Sequence, residues 1–231
     1  MRFTTLVLSA ALGCFPLLAV AEAHLRELIV SGEGRVSVEP DMAVLTLGVS
    51  HEAPSAKAAM DATSRGVGEV LETLNAAGLE GRDVQTASVS LSPRWDHSKR
   101  DAPPRVVGYV ASNTLTIRVR DLGELGGILD RVVGSGANQM NGLSFTLAEP
   151  RPVQDQARVR AVEDAVAKAQ LLADAAGVTL GPIRRMTEGG GGRPAPEMLQ
   201  RGAMAMDASV PIATGEVDIR ATVSIAFDIL P

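Results

Sequence analysis

Cysteine is almost absent: Cys14 is the only one in 231 residues, and it lies in the N-terminal apolar segment. A chain that loses that segment has no disulfide, no thiolate nucleophile and no thiolate metal ligand. Its stability must come from a packed core. Aromatic side chains make up 3% of the sequence, and beyond the first 23 residues they reduce to Trp95, Tyr109, Phe145 and Phe227. So sparse a set argues against a stacking platform for bases or sugars. Clustered basic charge is also missing. The formal net charge is −5, and Arg151, Arg158 and Arg160 are interleaved with Asp155, Glu163 and Asp164. These positions read as a solvated helix face, and neither nucleic acid nor an anionic lipid surface is an expected partner.

Residues 1–23 carry one positive charge at Arg2, an apolar run from Leu6 to Val20 interrupted by Gly13 and Pro16, and small residues at Ala19, Ala21 and Ala23. That order is a secretory signal peptide, too short and too interrupted to span a bilayer. Cleavage falls after Ala21 or Ala23, and Ala23 is taken here. Losing Arg2 and Glu22 together leaves the net charge unchanged. A lipoprotein reading of Ala11-Leu12-Gly13-Cys14 is disfavoured, because Ala11 stands where leucine is usual and the apolar run continues past Cys14.

Residues 24–231 then alternate between period-two and helical patterning. Strands are expected at 28–38 and 43–50, the second dense enough in apolar residues to be buried on both faces. A helix follows from Ser55 as N-cap, with Met60, Val67, Leu71 and Leu74 at helical spacing and Gly78 as its stop. Strands at 84–91 and 106–119 flank a polar, proline-containing loop at 92–104. A short helix at 122–133 leads to a strand at 143–148. Pro150 and Pro152 open the longest helix, whose stripe of Ala157, Ala161, Ala165, Ala169 and Ala176 suggests close packing and which Gly177 ends. A strand at 178–186, a Gly-, Pro- and Met-rich mobile loop at 187–209 and a cleanly alternating strand at 216–229 complete the chain.

Candidate chemistry is sparse. His24, His51 and His97 are far apart in sequence and match no metal-binding spacing. Gly32-Glu33-Gly34 continues into a strand and not a helix, so it reads as a β-bulge or close strand crossing and not a phosphate loop. Gly189 to Gly192 lacks the Lys and Ser/Thr of a phosphate-binding loop. No serine sits in G-x-S-x-G. Glu163 with Asp164, and Asp96 beside His97, are explained as well by surface charge as by acid–base roles. Met198, Met204 and Met206 share the mobile loop; thioether sulfur suits Cu(I), although flexible packing or interface use is the simpler reading. Trp95 is either an interaction anchor or, by preference, a side chain that pins its loop.

The segments Val30-Ser31-Gly32-Glu33-Gly34 with Pro40-Asp41, the run 74–93, and Gly108-Tyr109 through Asp121 occur in order with Gly142-Leu143-Ser144-Phe145. They are followed by the stretch 160–181 with Ala165, Lys168, Ala169 and Gly177, then Pro211-Ile212 and Gly215-Glu216. Together they resemble the SIMPL-domain proteins of bacterial periplasms over nearly all of residues 24–231. The resemblance implies a periplasmic α+β domain, with members associated with oxidative-stress defence or known as periplasmic antigens, and with self-assembly as an expectation. It implies no agreed reaction and no catalytic, cofactor or metal residues. The resulting reading is a single α+β domain, three helices on one face of a largely antiparallel sheet, with loops 92–104 and 187–209 projecting. Functionally it is a non-enzymatic envelope protein without a cofactor that self-associates or binds an envelope protein partner and contributes to envelope or oxidative-stress tolerance. The alternative is a periplasmic metal or small-ligand binding protein with a pocket assembled from distant residues.

Overall fold

A computed structural model describes residues 26–98, 103–189, 195–196 and 212–230. The elements in chain order are β1 (Glu27–Val38), β2 (Met42–Ala53), α1 (Ala56–Ala76), β3 (Val84–Asp96) and β4 (Arg105–Val119). They continue with α2 (Leu125–Gly134), β5 (Gln139–Thr146), α3 (Arg151–Ala176), β6 (Thr179–Glu188), β7 (Ala195–Pro196) and β8 (Val217–Leu230). The punctuation is chemical. Ser55 Oγ accepts from the Ala58 amide at 3.2 Å and caps α1. Gly78 and Gly177, with φ of +84° and +68°, take the left-handed conformation after α1 and α3. Pro152 sits in the first turn of α3, where its missing N–H costs no hydrogen bond.

All observed strand pairs are antiparallel, as expected for this α+β fold, but the strands divide between two sheets. One runs β1–β8–β6, with β7 also paired to β8; the other runs β3–β4–β2–β5. Helix α3 lies on the first and α1 on the second, where α2 packs beside α1 on the same core. Each sheet therefore carries its own core. Leu45, Leu47 and Val49 of β2 meet Val67, Val70 and Leu74 of α1 and Leu125, Ile128 and Leu129 of α2. Fully burying a side chain such as Leu74 contributes roughly 1.5–3 kcal/mol. The first sheet packs Val30, Val36, Ile219, Ile225 and Phe227 under α3. Phe145 touches both cores.

Contact between α3 and β1 is unusually close. Ala157, Ala161, Ala165, Ala169 and Ala173 form the buried stripe of the helix, while Val159 and Leu171 face outward. A Cβ on Gly32 would stand 2.5 Å from the Ala165 amide nitrogen, and one on Gly34 would stand 2.6 Å from that of Ala161. The β1–β8 register runs unbroken from Glu27↔Asp228 to Val38↔Val217. These two glycines therefore make no bulge; they let a helix, not another strand, approach the sheet.

Both projecting segments differ in part from expectation. β3 continues through Pro93 and Trp95 to Asp96, paired with β4 down to Arg105, so the first part of the anticipated loop 92–104, Ser92 to Asp96, is strand. Proline is tolerated there because β3 is an edge strand. Thr187 and Glu188 belong to β6, and Ala195–Pro196 pairs with β8. Met198, Met204, Met206 and residues 1–23 lie outside the described residues.

Candidate functional site

Three places concentrate exposed or polar side chains. The first is a cleft where α1 ends. Gly78 turns the chain outward, and a single 3-10 turn at Gly81–Asp83 returns the Asp83 side chain into the protein, where it is almost fully buried. Arg120, at the end of β4, donates to its carboxylate at 2.8 Å. Asp83 in turn holds the Arg120 guanidinium above its ordinary pKa. Asp121 accepts from the Gly123 amide at 3.0 Å and caps the next turn. The resulting cavity of about 260 Å³ is lined by Glu80, Asp83, Arg118, Arg120 and Ile128, among others. Glu80 pairs with Arg82 at 2.8 Å and Asp83 with Arg120 within the cleft, while Glu124 reaches Arg131, outside its lining, at 3.7 Å. Ion pairs arranged this way fix the two turns that frame the cleft.

The second place is the outer face of the β1–β8 sheet. Asp218 is buried there, with Ser37 Oγ donating at 2.6 Å and the Arg35 and Arg220 guanidinium groups at 2.5 and 3.5 Å. Ser37 stands directly opposite Asp218 in the register, and Arg35 opposite Arg220. Cross-strand geometry thus delivers two cations to one carboxylate and satisfies a group that would be costly to bury alone.

The third is the β3–β4 hairpin. β2 ends at Ala53 against Tyr109, so the pairing of Arg94–Asp96 with Arg105–Gly108 extends past the body of the sheet. Val89, Leu91, Trp95, Val106 and Val107 are all 40–54% exposed. Ionic contacts brace the arm: Arg94 bonds Glu52, and Asp96 meets Arg105 at 3.6 Å. Asp96 also accepts from the Ser98 amide at 2.9 Å. Ser98 and Arg105 together hold its carboxyl below the usual carboxylate range. Trp95, paired with Val106 in the ladder and half exposed, is not a side chain folded back to pin a loop.

The other sequence candidates are scattered. His51 is on β2, next to Gly66 of α1, and its Nδ1 is buried without a hydrogen-bond partner among the described residues, as is Asn113 Oδ1. His97 is exposed beyond the end of β3, and His24 lies outside the described residues. Asp164 accepts from Lys168 Nζ at 2.7 Å and from the Glu33 amide at 2.8 Å, tying α3 to β1. Those bonds hold its carboxyl below the ordinary range, Lys168 first and Glu33 second. Glu163 is exposed on the same helix. Among the described residues no group of three or more His, Cys, Asp or Glu side chains could hold a metal ion. No described helix is long and apolar enough to cross a membrane.

Sequence reasoning missed the apolar character of the hairpin. Its signal was there, since Val89 and Leu91 alternate with Ser88, Ser90 and Ser92, but alternation normally marks one buried face. Here that face runs out beyond the helix layer.

An α+β scaffold of two helix-backed antiparallel sheets, bearing surface clefts and an apolar arm, is the class that this geometry defines. The chain belongs to the SIMPL family, described as a protein of unknown function (DUF541), whose profile matches residues 28–227. It is 38% identical to the 26 kDa periplasmic immunogenic protein of Brucella melitensis over 241 residues, covering 98% of this chain and 95% of that one. It is also similar to the protein YggE of Edwardsiella ictaluri, 30% identical with 79% of this chain and 78% of the relative covered. YggE of Escherichia coli K12 is 28% identical, with 79% and 74% covered.

Proposed function

We propose that the protein works in the periplasm, after removal of residues 1–23, as a non-enzymatic envelope component. In this reading it associates with further copies of itself and contributes to envelope or oxidative-stress tolerance. The observation that carries the proposal is the hairpin arm, which holds Trp95, Val106 and Val107 half exposed beyond the end of β2. Apolar groups gathered on a projecting element mark an interaction surface more readily than a catalytic one. The periplasmic name of the Brucella relative supports the compartment, and family resemblance supports the stress role.

The test is the mass of the purified protein by light scattering over a wide concentration range, with and without residues 92–104. A defined oligomer lost on deletion is the expected outcome. A single chain at every concentration would refute self-association. Loss of the gene should lower survival under peroxide, and unchanged survival would remove the stress role while leaving the assembly reading standing.

A further inference from the structure

The four-stranded sheet β3–β4–β2–β5 has two outer strands, and neither edge is paired among the described residues. Exposed edges are normally blunted, because their free N–H and C=O groups recruit other strands. The β1–β8–β6 sheet follows that rule: its outer strands carry Glu27, Glu33 and Arg35 on one side and Arg184, Arg185 and Glu188 on the other. β5 carries no charge, and β3 confines its Pro93, Arg94 and Asp96 to its far end. From Val84 to Ser92 and from Gln139 to Thr146 there is neither a charged residue nor a proline.

Those two edges also match each other. In an antiparallel sheet of four strands the first and last run in opposite directions, so a neighbouring copy placed side by side brings its β5 antiparallel to β3. The faces continue as well. Val89 and Leu91 share the helix side of the sheet with Asn113 and Ala111, and Met140 and Leu143 share it with Leu47 and Leu45. Ser88 and Ser144 lie on the opposite face, opposite Thr114 and Val44. Val89 and Met140 are 54% and 57% exposed, so each has apolar surface to give up.

We infer that β3 of one copy pairs with β5 of the next, joining their sheets through backbone hydrogen bonds and an apolar seam of Val89 and Leu91 against Met140 and Leu143. This rests on the self-association proposed above and adds to the arm a second part of the interface, the backbone edge of β3, the strand whose far end forms that arm. The contact is head-to-tail, so successive copies build a ring where the rotation closes and a filament where it does not.

Two double variants test it: Val89→Lys with Leu91→Lys to block β3, and Met140→Lys with Ser144→Lys to block β5. Each retains one competent edge. Light scattering should find each variant alone as single chains and an equimolar mixture as a species of two chains and nothing larger. If the β5 variant still assembles while the β3 variant does not, a symmetric β3–β3 contact replaces the inference. Assembly of both variants like the parent, or a mixture that stays monomeric, also overturns it. A parent protein that is itself monomeric refutes the underlying self-association instead. Circular dichroism checks folding; should a double variant unfold, Ser90→Lys and Ser144→Lys on the opposite sheet face carry the same mixing experiment.

Discussion

Replacing Gly34 by alanine adds one methyl group, and the geometry makes that group expensive. Its Cβ would lie inside the contact distance of the Ala157 carbonyl oxygen and 2.6 Å from the Ala161 amide nitrogen. Both are backbone atoms, so no rotamer change relieves the clash. Helix α3 would have to retreat by roughly 1 Å, and a gap of that order forfeits about a quarter to half of the dispersion attraction along the interface. The retreat strips contact from the stripe Ala157 to Ala173. Overpacking typically costs about 1–3 kcal/mol, and the entropy gained by removing a glycine from the unfolded chain returns only about 0.4–1 kcal/mol. The expected net loss is about 2 kcal/mol, a fall of roughly 4–8 °C in Tm for a domain of this size. Gly68 of α1 is the control, since a Cβ there meets nothing within 4 Å. Gly68→Ala should raise stability by about 0.5–1 kcal/mol. Urea unfolding of both variants reads the difference; midpoints that move in the same direction would refute the account of the α3–β1 contact.

Three further outcomes follow from named contacts. Asp218→Ala leaves Ser37 and two guanidinium groups without their shared acceptor and should cost about 2 kcal/mol, read as a lower urea midpoint at unchanged slope. Ser55→Ala removes the cap of α1 and should cost about 1 kcal/mol in the same assay, whereas Ser55→Asp should retain most of the stability. Asp164 contributes through a depressed carboxyl pKa, so its contribution is complete above the ordinary aspartate pKa of about 3.9 and disappears as pH falls through the lower folded value. Melting curves against pH should show Asp164→Asn less stable than the parent near neutrality, with the difference closing at the acid end; a constant gap would refute the linkage.

The elements were legible because their signals are local. Ser55, Gly78 and Gly177 marked helix ends through capping and left-handed backbone, and the alternation of Val217 to Phe227 marked a strand buried on one face. The division into two sheets was not legible, since nothing along β1 states that its partner is β8, whose residues arrive almost 200 positions later. Pro93 reads as loop because proline removes a ladder hydrogen bond in an interior strand, and only the pairing order reveals β3 as an edge. For Gly32 and Gly34 the clue was present in the alanines repeating every four residues along α3. Joining it to two glycines more than 120 residues away requires the fold. The charged cleft was hidden for a related reason: Asp83, Arg120 and Ile128 come from three separate elements, and each alone resembles ordinary surface or core.

The β1–β8 pairing also bears on how the molecule can be made. Residues 42–146 contain every strand of the β3–β4–β2–β5 sheet together with α1 and α2, so that half needs nothing from outside its own stretch of chain to lay down its ladders. The other half is split around it. Of the described strands β1 is synthesised first and its partner β8 last, and β1 must wait as an unmatched strand while the intervening half folds. A stop codon that removes only β8 would therefore spare the inserted half and leave β1, α3 and β6 without the strand that joins them.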